Sequence, residues 1–176
     1  AYDRAREAAD SFLKALDVRA SQSDDTAIRV RLADAYAASG QWEPALQEYQ
    51  RVAVANPDDL GLQMSLANAY HQAGRQPQAL QEYQRIAQIA PDYPFAYIKQ
   101  GELLDETGLT TQALAAYEAA VQAAPDSVDA VLTLATAYRR RGMVDEAIVM
   151  LERGLQLDPT REGAREALER LNGGEQ

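Results

Sequence analysis

Cysteine is absent from the 176 residues, which excludes disulfides, thiolate-bound zinc and cysteine nucleophiles. Histidine occurs once, as His71, too few for a multi-histidine metal site. Basic residues are outnumbered by acidic ones, 17 to 27, which leaves a net charge of −10. That sign argues against a nucleic-acid or anionic-membrane partner, because both attract a basic footprint. No run of eighteen apolar residues occurs, so no direct membrane insertion is expected. The compartment stays open between the cytoplasm and the soluble part of a membrane-tethered protein. Gly-Lys, Gly-x-Gly-x-x-Gly, His-Glu-x-x-His, a calcium loop and Gly-x-Ser-x-Gly are all missing. No cofactor, no metal and no enzyme activity are therefore expected. Lysine is confined to Lys14 and Lys99, and the resulting arginine bias reads as the genome composition of a GC-rich bacterium.

What is present is an apolar content of 47%, with 7% aromatic, the balance of a folded chain. Such a length suits one domain or a short array of repeats. Pro57, Pro91, Pro125 and Pro159 fall 34 residues apart, as do Gly40, Gly74, Gly108 and Gly142, and Ala45, Ala79, Ala113 and Ala147. Each period reads as two helices. In the first, Ile28, Leu32, Ala35 and Tyr36 share a helical face over Thr26 to about Ser39. Gly40 supplies a left-handed terminus, and Pro44 sits near the first position of the next helix. Later helices are expected at Leu60–Ala73, Pro77–Ile89, Pro94–Thr107, Thr111–Ala123, Val128–Arg141 and Asp145–Leu157. Asp58, Asp92, Ser127 and Thr160 offer N-cap oxygens. Small residues Ala33, Ala67, Gly101 and Ala135 mark close helix approach, and Tyr36, Tyr49, Tyr70, Tyr83, Tyr117 and Tyr138 fill the space between pairs.

These residues resemble the tetratricopeptide repeat family. Leu32-Ala33-x2-Tyr36, Gly40, Ala45-x3-Tyr49 and Pro57 follow its pattern, and Leu66-Ala67-x2-Tyr70, Gly74, Ala79-x3-Tyr83 and Pro91 repeat it. The family's opening tryptophan is replaced by Arg29, Gln63, Tyr97 and Val131. The resemblance implies an all-α, right-handed superhelix, an α-solenoid, of four helix-turn-helix repeats at 26–59, 60–93, 94–127 and 128–159. An N-terminal helix over 1–20 acts as a half-repeat, Ser21 to Asp25 forms a polar connection, a capping helix lies within 160–172 and 173–176 is a frayed tail. Phe12, Leu13 and Leu16 are expected to be partly exposed, which points to self-association through that first helix.

By family geometry the first helix of each pair lines a concave groove. Its expected residues are Val30, Arg31, Asp34, Met64, Asn68, His71, Phe95, Ile98, Lys99, Glu102, Leu132, Thr136 and Arg139. The apolar members suit an extended or helical apolar segment of a partner protein, flanked by charges. The same stripe reads equally well as surface partly buried against neighbouring helices. The clamp of two lysines, two asparagines and an arginine with which chaperone-serving members hold a carboxylate terminus is not matched: at most two of five positions agree among Val30, Asp34, Ser65, Phe95 and Lys99, among Met64, Asn68, Lys99, Asp129 and Thr133, or among Ile98, Glu102, Thr133, Gly163 and Ala167. Glu102, Asp105 and Glu106 read as a solvated face rather than an acid–base pair, and His71 as a surface histidine. Arg139-Arg140-Arg141 suits the negative end of a helix, with a site for an acidic partner as the other reading. The resulting expectation is a non-catalytic interaction scaffold, with complex assembly as its specialisation. The other reading is a regulatory or anchoring part of a longer enzyme or membrane protein, suggested by the missing methionine and the orphaned first helix.

Overall fold

A computed structural model describes residues 2–19 and 25–173. Ten helices occur among them: α1 (Tyr2–Arg19), α2 (Thr26–Ala38), α3 (Trp42–Ala55), α4 (Leu60–Gln72), α5 (Gln76–Ile89), α6 (Pro94–Glu106), α7 (Thr110–Ala123), α8 (Val128–Arg140), α9 (Val144–Leu157) and α10 (Glu162–Asn172). Residues 21–24 of the polar connection and 174–176 of the tail lie outside the described residues, as does the Leu16 side chain. The chain divides into two compact units, Ala1–Glu82 and Tyr83–Gln176.

Backbone chemistry sets the turns. Gly40, Gly74, Gly108 and Gly142 hold φ between 70° and 78°, a region in which a Cβ would clash with the backbone. At the end of α2 the Gly40 N–H donates to Ala37 O and the Gln41 N–H to Tyr36 O, which satisfies two carbonyls the helix leaves open. The same pair of bonds recurs at Gly74, Gly108 and Gly142. The helix starts are less regular. Ser127 caps α8 as expected, its Oγ accepting from the Ala130 N–H at 3.3 Å. Asp58 and Asp92 do not cap: Asp59 caps α4, accepting from the Leu62 N–H, and Tyr93 precedes Pro94 at α6. Thr160 is displaced by Arg161, because Asp158 captures both the Thr160 N–H and its hydroxyl. Pro44 is the third residue of α3 rather than the first, and its missing N–H is still one that the first turn leaves unpaired.

In the first unit α1 packs on α2, α2 on α3, and α3 on α4. Ala9, Leu32 and Ala35 form a buried cluster flanked by Ala8, Phe12 and Tyr36. Leu13 of α1 is exposed. Ala45 of α3 is fully buried, while Ala8, its counterpart on α1, is only half-buried. In the second unit α6 packs on α7 and α8, α8 on α7 and α9, and α9 on α10. Ala135, Leu151 and Ala164 make its terminal cluster, with Leu132, Met150, Leu168 and Leu171 around them.

The positions of the family's opening tryptophan do different work. Gln63 Nε2 donates to Ala53 O at 2.8 Å, and Tyr97 Oη to the equivalent Ala87 O at 3.5 Å, so each ties the start of one pair to the end of the previous helix. Val131 is fully buried. Arg29 instead donates to Glu48, which also accepts from Arg51, so the buried carboxylate is held by two guanidinium groups.

Gly101 marks a close approach within a pair. A Cβ there would lie 2.5 Å from Cε1 of Tyr117, a residue that is almost wholly buried. Gly101→Ala is therefore expected to lower stability by about 1–3 kcal/mol through overpacking, although alanine is the better helix former. Gly163→Ala in α10, where nothing lies within 4 Å, should raise it by no more than about 1 kcal/mol. Urea melts of the two variants check the pair, and equal shifts would contradict the packing.

Candidate functional site

The largest share of the expected groove residues comes together in the second unit. Phe95, Ile98, Lys99 and Glu102 lie at helical spacing on one face of α6, and Leu132, Thr136 and Arg140 on one face of α8. Together with Asp105, Tyr117, Asp129, Thr133 and Arg161 they enclose a groove of about 670 Å³. Phe95 stands 42% exposed, its ring 5.6 Å from that of Tyr93. Leu132 is half-buried. Ile98 is only 5% exposed, so it forms the floor of the groove and not a free contact; α6 packs on both α7 and α8 and covers it.

The charged rim is mostly self-neutralised. Lys99 Nζ donates to Glu102 at 2.6 Å, and Arg161 bridges Asp129 and Asp158 at 3.1 and 2.9 Å. Asp105 accepts from Arg141 at 2.5 Å and from the Tyr117 hydroxyl at 3.3 Å. Burial and the Asp105 carboxylate push the Tyr117 phenol up, so it stays a neutral donor through the physiological range. Arg140 forms no ion pair among the described residues. The basic run thus separates: Arg141 caps α8 and bonds Asp105, Thr110 O and Ala137 O, Arg140 faces the groove, and Arg139 lines the cleft between α8 and α10.

The expected residues of the first unit do not gather in this way. Asn68 lines a hollow of about 170 Å³ with Trp42, Tyr49 and Ser65. Asp34 reaches that hollow only through Tyr49, whose hydroxyl donates to its Oδ1 at 2.5 Å. Burial first, then this bond, pushes the Tyr49 phenol up. Met64 is buried, which corrects its reading as an open groove residue; a large apolar side chain at that register is more stable covered than wet. Arg31 stacks over the Phe12 ring of α1, 5.8 Å from its centroid, and so serves the α1–α2 contact. Val30 and His71 are half-buried and do not line the hollow.

Sequence reasoning placed Tyr117 in the packing and missed Arg161 and Trp42. Tyr117 does both, and its position seven residues after Thr110 carries no sign of that. Among the described residues no group of histidines and carboxylates is arranged to hold a metal ion. No described helix is long and apolar enough to cross a membrane.

Two models of tetratricopeptide repeats match the chain, one over residues 30–94 and one over 106–171, together about three quarters of its length. Solved structures share the fold. MamA from Desulfovibrio magneticus RS-1 is 21% identical, with a TM-score of 0.63 over 88% of this chain and 87% of its own. TTC0263, a thermophilic repeat protein of Thermus thermophilus, is 23% identical, with a TM-score of 0.65 over 97% and 91%. YrrB, described as a repeat protein with an unusual peptide-binding site, is 18% identical, with a TM-score of 0.62 over 95% and 84%. No curated protein sequence matches.

Proposed function

We propose that this chain, which belongs to the tetratricopeptide repeat family and has its all-α solenoid fold, is a non-catalytic scaffold that holds a segment of another protein between α6 and α8. The observation that carries this is the exposed Phe95 ring beside Leu132, above a buried Ile98 floor and inside a rim of both charges. An apolar anchor enclosed by polar neighbours is the arrangement in which a few contacts supply most of the binding energy. The groove suits an apolar segment with flanking charges of both signs, held with modest affinity. Its complement of charge does not suit nucleic acid, whose binding rests on phosphate neutralisation. YrrB, with its peptide-binding site, supports peptide recognition on such a fold. Assembly of a larger complex is the role we propose for it.

A photo-reactive phenylalanine analogue at position 95, irradiated in lysate of the source cell, tests the reading. Adducts to a discrete polypeptide are expected from position 95 and not from the same analogue at Gln122, which is exposed on α7. Equal labelling from the two positions, or none from position 95, would refute it.

A further inference from the structure

We infer that the cleft between the C-terminal ends of α8 and α10 and the start of α9 receives an acidic stretch of the bound protein, two neighbouring carboxylate side chains with an aliphatic side chain beside them. This rests on the groove reading above and adds to it the chemistry and direction of the ligand. The cleft measures about 760 Å³ and is lined by Arg139, Arg140 and Arg170 with Val144, Ala167 and Leu171, and by no carboxylate.

Arg139 and Arg140 form no ion pair among the described residues, although the chain carries a net charge of −10. The neighbouring cations are held: Lys99 of the groove by Glu102, Arg161 of the groove by Asp129 and Asp158, and the adjacent Arg141 by Asp105. Arg170 makes only exposed contacts with Glu166, to its main-chain carbonyl and to its carboxylate at 3.3 Å, and solvent screens the ion pair. The helix end explains why cations gather there. It does not explain why two of them converge on an apolar cleft unpaired, since Arg141 alone already bonds the Ala137 carbonyl of the last turn. Guanidinium forks match carboxylates in paired hydrogen bonds. The half-buried Val144 and Leu171 between them favour one aliphatic side chain.

Continuity fixes the direction. Arg140 lines both this cleft and the Phe95 groove, and Arg139 lines both this cleft and the recess between α8 and α10. A segment anchored at Phe95 that runs along α8 toward its C-terminal end arrives at the two free guanidinium groups. Acidic residues on that side of the anchor meet attraction, whereas nucleic acid extending beyond the patch meets the repulsion of an acidic protein.

Two end-blocked nonapeptides, Glu-Glu-Leu and Gln-Gln-Leu each repeated three times, are titrated by fluorescence anisotropy into the full chain and into its Arg139→Gln/Arg140→Gln variant. The acidic peptide is expected to bind at least about tenfold more tightly than the neutral one. The double variant should lose that preference and most of its salt dependence while melting unchanged. Equal binding of the two peptides, or of the acidic peptide by both proteins, overturns the inference. Displacement by duplex DNA as effective as by unlabelled peptide also overturns it, because the patch would then be an unselective anion site. If the protein crosslinked at position 95 loses affinity on Phe95→Ala but not on the arginine substitutions, the groove reading survives and this one fails.

Discussion

Tyr83→Ala is expected to lower stability by about 3–5 kcal/mol, the range for truncating a large core side chain. Its ring is completely buried on α5, burial pushes its phenol up, and its main-chain carbonyl accepts from Gln100 Nε2 at 3.4 Å. Truncation leaves a cavity that neighbouring side chains fill only in part, and in a repeat protein each layer depends on contacts with its neighbours. Gln84→Ala, one residue on and exposed, should stay within roughly 0.5 kcal/mol. Urea midpoints of the two variants measure the contrast, and matching midpoints would refute the assigned helix phase.

Phe95→Ala is expected to weaken partner binding by about 1–3 kcal/mol while leaving the melting temperature nearly unchanged. The residue is 42% exposed in the free protein and its ring makes a tilted contact with Tyr93, so it contributes less to folding than a fully buried ring. In the complex its exposed surface is removed from water, which is where its contribution arises. Glu102→Ala should act mainly on the association rate and its salt dependence, since the pair with Lys99 lies on the partly exposed rim. Calorimetric titration of the crosslinked partner against each variant, alongside thermal melts, separates the two effects. Unfolding of Phe95→Ala would assign the ring to the core, and normal binding would move recognition to another surface.

Most of the helix ends were legible in the sequence to within a residue, the start of α3 excepted, because they are set by local chemistry. Gly74 and Gly108 stop helices by adopting a φ that only glycine takes without penalty, and Pro94 starts one where its absent N–H is not needed. The N-caps were less legible. Asp58 and Asp59 are adjacent with the same side chain, and which of them caps depends on the path of the chain out of α3, a geometric matter that residue type does not encode. Gly101 was recognisable as a close approach, but not the Tyr117 ring that makes it obligatory.

The sequence by itself determined the period, the helices, the small residues at the helix contacts and the acidic surface that disfavours polyanions. Each of these follows from properties of single residues or of their spacing. Only the tertiary structure decided which of the equivalent side chains remain available. Ile98 and Leu132 occupy the same position in successive repeats, yet one is a buried floor and the other half-open. Arg139, Arg140 and Arg141 are identical in type and adjacent in sequence, yet one is locked to Asp105 while its two neighbours form no ion pair among the described residues and line a shared cleft. Burial and charge pairing are set by what the neighbouring helices bring to a point in space, and a spacing rule along one chain does not contain that information.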